Sequence, residues 1–224
     1  MLLLLTRRYR IPMRTASAIL LACFAQVSAE AETLDRIAVT VGKHVITQSD
    51  VVLDQRVDAF VDGKTPDLSG PQARKAAQRM VDLYLVLQDA TATRAPEPAA
   101  SDVAALLAPL RARYPSDAEY KDALARAGIT EEELKKHLLD GLWMMRYTDL
   151  RFRPEVQMSD EDLRAAFNAL IAKLPPGSPA PSFEASRAKL EELVMNQHML
   201  DALDRWLAMA RTETPILYRD AAFR

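Results

Sequence analysis

The chain has 224 residues, a formal net charge of -2 and one cysteine. That charge excludes the basic stripe of a nucleic-acid-binding protein, and a lone Cys23 excludes a disulfide-held scaffold. Only 6 glycines stand among many Ala, Leu, Glu and Arg residues, a composition that favours helix.

Arg7, Arg8, Arg10 and Arg14 precede an apolar run from Ala16 to Val27, and no acid comes before Glu30. Val27-Ser28-Ala29 then supplies a signal-peptidase site. The pattern predicts a secretory signal peptide over residues 1–29, cleaved between Ala29 and Glu30, and hence a periplasmic protein. The run is shorter than the roughly 20 apolar residues that span a bilayer. Translation from Met13 rather than Met1 leaves the signal intact, because Arg14 remains. Leu20-Leu21-Ala22-Cys23 has the shape of a lipoprotein signal, which would anchor the chain through Cys23. Val27-Ser28-Ala29 is the better site, because Leu21 is bulky for a lipobox. Cleavage at Ala29 removes four arginines and no acid, taking the net charge from -2 to -6. About 195 residues remain, enough for one domain with a real core or two small ones.

The next stretch alternates Ile37, Val39 and Val41 with Arg36, Ala38 and Thr40, a half-buried strand. Gly42-Lys43 fits a two-residue hairpin loop, and Val45 and Ile46 form the return strand. Thr47-Gln48-Ser49-Asp50 has capping-box spacing and opens a helix with Leu53, Val57, Phe60 and Val61 on one stripe. A turn-rich loop over Gly63 to Pro71 leads to a second helix from about Gln72, with Ala73, Ala77, Met80, Tyr84 and Leu87 at helical spacing. After a loop from Arg94 to Ala100, Ser101 is placed to cap a third helix bearing Val103, Leu106, Leu107 and Leu110, which Pro109 should kink or end.

Ser116 and Glu119 mark a short helix that stops at Gly128. Thr130-Glu131-Glu132-Glu133 opens a longer one, striped by Leu134, Leu138, Leu142, Met145 and Phe152. Ser159-Asp160-Glu161-Asp162 opens the next, with Leu163, Phe167, Leu170 and Leu174. Four prolines within residues 175–181 make a stiff connector. A long helix then runs from about Phe183 to Arg211, with Leu190, Leu193, Val194, Leu200, Leu203, Trp206, Leu207 and Ala210 on a broad apolar face. Pro215 ends it, and Ile216-Leu217-Tyr218 reads as a strand beside the N-terminal hairpin. The fold class predicted is mainly α, with a small antiparallel sheet formed by that hairpin and the C-terminal strand. One module is expected over residues 30–224: a helical part to 174, the connector 175–181, and a closing helix and strand over 182–224.

Several blocks, in order, carry a likeness to a known family. They are the segment Leu34 to Val51, the run Leu124 to Leu134 across Gly128, Val156-Gln157-Met158-Ser159-Asp160-Glu161-Asp162-Leu163, Ser182-Phe183-Glu184 with Leu203-Asp204-Arg205-Trp206-Leu207, and Ile216-Leu217-Tyr218. Together they resemble the N-terminal module of the SurA-type periplasmic chaperones. In that family one or two parvulin isomerase domains sit before the closing helix, whereas here only the proline-rich connector fills the gap. The resemblance implies a holdase for unfolded outer-membrane proteins without the isomerase. An exported adaptor or structural protein that docks one folded partner is the alternative.

The residues show no catalytic constellation, no metal-ligand spacing and no cofactor motif. His44, His137 and His198 lie on a hairpin and two separate helices, and there is no HExxH, P-loop or nucleophile elbow. Glu131-Glu132-Glu133 suits a helix N-terminus by complementing its dipole. Trp143, Met144 and Tyr147 form the candidate client-binding patch, extending apolar surface beyond a core stripe that includes Met145. Methionine suits such a surface, because its unbranched side chain adapts to many partners. The competing expectation is that the patch packs beneath the long C-terminal helix.

Overall fold

The computed structural model describes residues 35–175 and 177–223. The predicted signal peptide, Cys23 and the Ala29–Glu30 junction lie outside them.

Strand β1 (Ile37–Val41) turns through Gly42-Lys43 into β2 (His44–Thr47), with Val41 opposite His44. Gly42 has φ 58°, the left-handed backbone required at the first position of this loop. The expected alternation breaks at one point. The register shifts between Ile37 and Val39, and Ala38 and Val39 both face the core. This bulge turns Ile37 out to solvent, where the period-two pattern predicted it buried. Strand β3 (Ile216–Tyr218) pairs antiparallel with the other edge of β1, giving the order β2-β1-β3. Backbone bonds from Gly42 N to Pro215 O and from Arg219 N to Ala38 O, both 2.8 Å, extend that pairing at either end.

Helix α1 (Gln48–Asp62) starts where the capping box predicts: Asp50 N donates to Thr47 Oγ1 at 3.2 Å, and Thr47 N donates to Asp50 Oδ2 at 2.8 Å. Helix α2 (Gly70–Ala92) begins slightly before Gln72, with Pro71 in its first turn, where a missing N–H loses no bond. Helix α3 (Ala100–Arg111) is not capped by Ser101. Ala99 is the cap residue, its N–H donating to Asp102 Oδ2 at 2.9 Å, and Ser101 lies exposed in the first turn. Pro109 falls in the last turn of α3, which ends at Arg111. Helix α4 (Asp117–Ala127) is capped by Ser116 and stopped by Gly128 at φ 67°. Helix α5 (Glu131–Phe152) opens on Thr130 and Glu133, and α6 (Asp160–Ala172) on Ser159 and Asp162, each through a complete capping box. Residues 173–182 then lead to α7 (Phe183–Glu213), capped by Ser182.

Three apolar clusters hold these elements. In the first, Val39, Val41 and Ile46 of the sheet meet Val81 and Val86 of α2, Phe152 of α5, and Leu203 and Leu207 of α7. The second joins Val57 and Phe60 of α1 to Leu107 and Leu110 of α3, Tyr120 and Leu124 of α4, and Leu134 of α5. The third pairs Leu163 of α6 with Leu190 and Val194 of α7, and Phe167 meets Phe183 edge-on at 5.4 Å. The long helix therefore packs back over α2, α5 and α6. Its apolar face is narrower than its sequence suggests. Leu193 and Leu200 are each 54% exposed, while Met199 takes a core position. On α2 the buried stripe is centred on Val81, Leu85 and Val86, with Met80 and Tyr84 at its margin.

Candidate functional site

The candidate patch lies in the second half of α5, which crosses the first apolar cluster. Tyr147 is only 4% exposed. Its hydroxyl donates to Asp89 Oδ2 of α2 at 2.5 Å. Burial, and then that carboxylate, push the phenol above its usual pKa. Trp143 and Met144 are half-buried against the same cluster. Tyr147 thus does not extend a surface patch; it anchors α5 to α2, and the indole and thioether pack beside it.

Met145 shows the reverse. Placed in the core stripe by its spacing, it is 62% exposed, and Leu150 is 57% exposed. The helical stripe of α5 shifts between its two halves. Leu134 and Leu138 serve the second cluster, whereas Tyr147 and Phe152 serve the first, so one continuous seam does not describe both. The apolar surface that α5 offers to solvent is therefore Met145 and Leu150.

Two open clefts flank the end of α5. One, of about 410 Å³, lies between α5 and the end of α2, lined by Thr93, Ala95, Pro96, Tyr147 and Leu150 with Arg151 at its rim. The other, of about 360 Å³, lies between the end of α5 and α7, lined by Phe152, Val156, Gln157, His198, Ala202 and Arg205. Each mixes apolar walls with charged ends. Their size suits a few residues of an extended chain better than a deeply enclosed small molecule.

The histidines separate into three settings. His44 stacks on Tyr84, with ring centroids 4.2 Å apart. His198 Nδ1 lies 3.2 Å from the carbonyl oxygen of Gln157. His137 of α5 meets Asp54 and Asp58 of α1, a grouping that sequence spacing did not reveal. The only hint was that Asp54 and Asp58 lie one helical turn apart; their partner arrives through tertiary packing. These three side chains are the one group of metal-ligand type among the described residues. Arg79 of α2 already bridges both carboxylates, at 3.2 Å to Asp54 and 2.6 Å to Asp58. The charge of that guanidinium opposes a metal cation at the same carboxylates.

No described helix is long and apolar enough to cross a membrane. Among known proteins, no family model matches the chain and no curated protein matches it.

Proposed function

We propose that this chain is an ATP-independent periplasmic holdase for unfolded outer-membrane proteins, without prolyl isomerase activity. The observation that carries the reading is the meeting of the two ends of the described residues. The N-terminal hairpin and the C-terminal strand share one sheet, and the long last helix lies across the helices between them. That is the arrangement implied by the ordered blocks that resemble the SurA-type module. Residues 173–182 join α6 directly to α7, where the family carries isomerase domains.

Exposed Met145 and Leu150, the latter lining one of the two clefts at the end of α5, support binding of extended chains. Strands of outer-membrane barrels alternate apolar and polar residues and carry aromatic girdles. A shallow surface with apolar contacts and charged rims accepts such segments without reading a fixed sequence. Ordering an extended chain costs conformational entropy, so affinity is modest.

The test is light scattering after dilution of a denatured barrel protein, with and without the chain and without nucleotide. Suppressed aggregation is the expected result. Unchanged aggregation at several-fold molar excess, together with tight binding to one folded protein, would replace the holdase with the adaptor.

A further inference from the structure

We propose that His137, held between Asp54 and Asp58, is a pH-sensitive clamp that fixes the first half of α5 to α1. The geometry carries it. His137 Nε2 lies 3.2 Å from Asp58 Oδ1, and Nδ1 lies 3.7 Å from Asp54 Oδ1. Both ring nitrogens thus face carboxylates. A neutral imidazole has one N–H and turns a lone pair on its other nitrogen. Only the protonated ring presents a donor to each acid.

The surrounding charges fit that state. Asp54 and Asp58 sit one turn apart on α1 and repel each other. Arg79 of α2 takes their Oδ2 atoms, and His137 faces their Oδ1 atoms. Asp140, on the same helix as His137, adds a further negative charge, and Lys136 pairs with it. Two carboxylates on α1 are therefore matched by two cations, one permanent and one titratable. Loss of the His137 proton leaves Arg79 alone against both.

The position gives the charge change a mechanical outlet. His137 is flanked on α5 by Leu134 and Leu138, which pack with Val57 and Phe60 of α1 in the second apolar cluster. Leu138 and Leu53 are only partly covered there. The clamp closes the rim of that cluster, and loosening it frees this edge while the first cluster stays intact.

The titration runs in the matching sense. The hydrogen bond with Asp58 raises the His137 pKa above its ordinary 6.5 against the opposing effect of burial, with further support from the Asp58, Asp54 and Asp140 charges. A raised histidine pKa stabilises the junction fully below 6.5, and this contribution is lost as pH rises through the folded-state value. Burial, and then repulsion from Asp58, raise Asp54 above 3.8, so its proton also favours the folded state and is lost on the way up. The hydrogen bond from His137 lowers Asp58 below 3.8, so its contribution disappears only as pH falls through that lowered value. The clamp is closed in mildly acidic solution and opens above the His137 pKa, whatever the chain binds.

The experiment is amide hydrogen exchange on the full-length chain at several pH values, corrected for intrinsic exchange, with NMR titration of the histidine rings. In the wild type, protection along α1 and the first half of α5 should fall as pH passes the His137 midpoint, which should lie above 6.5. The local opening constant should rise by up to about tenfold for each unit by which the folded pKa exceeds the unfolded one. Protection near Arg211 and Asp82, where α7 meets α2, should not follow it. His137→Gln should flatten the pH dependence, and Asp58→Asn, which keeps the ring, should lower its midpoint. PH-independent protection in the wild type, a His137 midpoint below 6.5, or an unchanged pH dependence in His137→Gln would each overturn the clamp.

Discussion

Val39 in the first strand lies opposite Tyr218 in the last, so the two ends of the described chain close one sheet. Arg74 of α2 reinforces this closure. Its guanidinium pairs with Asp220 and lies over the rings of Tyr218 and Phe223. Arg211 adds a second tie, donating to Asp82 Oδ1 from Nε at 2.9 Å and from Nη2 at 2.6 Å. Exposed ion pairs contribute little singly, so burial of Leu207 and Ala222, with the partial cover of Ile216 and Tyr218, carries most of the closing energy.

Truncation after Trp206 should therefore unfold the domain or lower its Tm steeply. It removes Leu207, Ala210, Ile216, Tyr218 and Ala222, all packed in or against the first apolar cluster, and with them the closing strand. Leu207 alone is worth roughly 2–3 kcal/mol of burial, against a total stability of about 5–15 kcal/mol for an ordinary domain. Thermal melting by circular dichroism checks this; equal Tm values for the truncated and full chains would contradict it.

Two glycines should respond in opposite directions to the same substitution. Gly128 ends α4 at φ 67°, and an added Cβ would lie 2.9 Å from Arg56 Nη1. The guanidinium can move aside, so the cost of Gly128→Ala is mainly the left-handed backbone, about 1–2 kcal/mol. Gly141 lies inside α5 with nothing within 4 Å of an added Cβ. Gly141→Ala should stabilise by about 1 kcal/mol, because alanine loses less backbone entropy in a helix. Urea denaturation of both variants measures the pair.

Much of this fold is legible in the sequence. Thr47, Thr130 and Ser159 announce their helices by the spacing of an acid three residues on, and all three form complete capping boxes. Gly42 and Gly128 mark turns whose positive φ they supply. These signals are local, so a single stretch of chain contains them. What the sequence misplaces depends on partners far away. Ile37 turns outward because a bulge in β1 shifts the register. Met145 and Tyr147 exchange roles because α5 serves two clusters in different directions along its length. Leu193 and Leu200 are apolar residues at helical spacing, yet each is 54% exposed. The Asp54–Asp58–His137 grouping needs α1 and α5 docked before it exists.

The exposed residues of α5 provide a separation of binding from folding. Met145→Ser with Leu150→Ser should weaken suppression of aggregation while leaving Tm within about 1 °C, since exposed positions contribute little to stability. Tyr147→Ala should instead lower Tm, because it empties a core position and removes the bond to Asp89. Parallel light scattering and melting curves distinguish the two. Full holdase activity in the double variant would remove Met145 and Leu150 from the binding surface.

Prolyl isomerisation should proceed at the uncatalysed rate in the presence of the chain. The reaction needs a shaped pocket around a twisted X-Pro bond, and residues 173–182, which link α6 to α7, are too few to build one. A protease-coupled proline peptide assay reads this directly; acceleration proportional to the concentration of pure chain would contradict it.

A holdase of the kind proposed binds unfolded, aromatic-bearing segments without regard to one exact sequence. Fluorescence anisotropy with a panel of labelled extended peptides tests it most directly. The panel would hold several barrel-strand sequences, the same sequences with their aromatics replaced by serine, and one folded barrel protein. A holdase should show modest, comparable affinity for the unrelated strand peptides, loss of binding on aromatic replacement, and none to the folded barrel. Absence of binding to every strand peptide, or binding that ignores the aromatics, would contradict it.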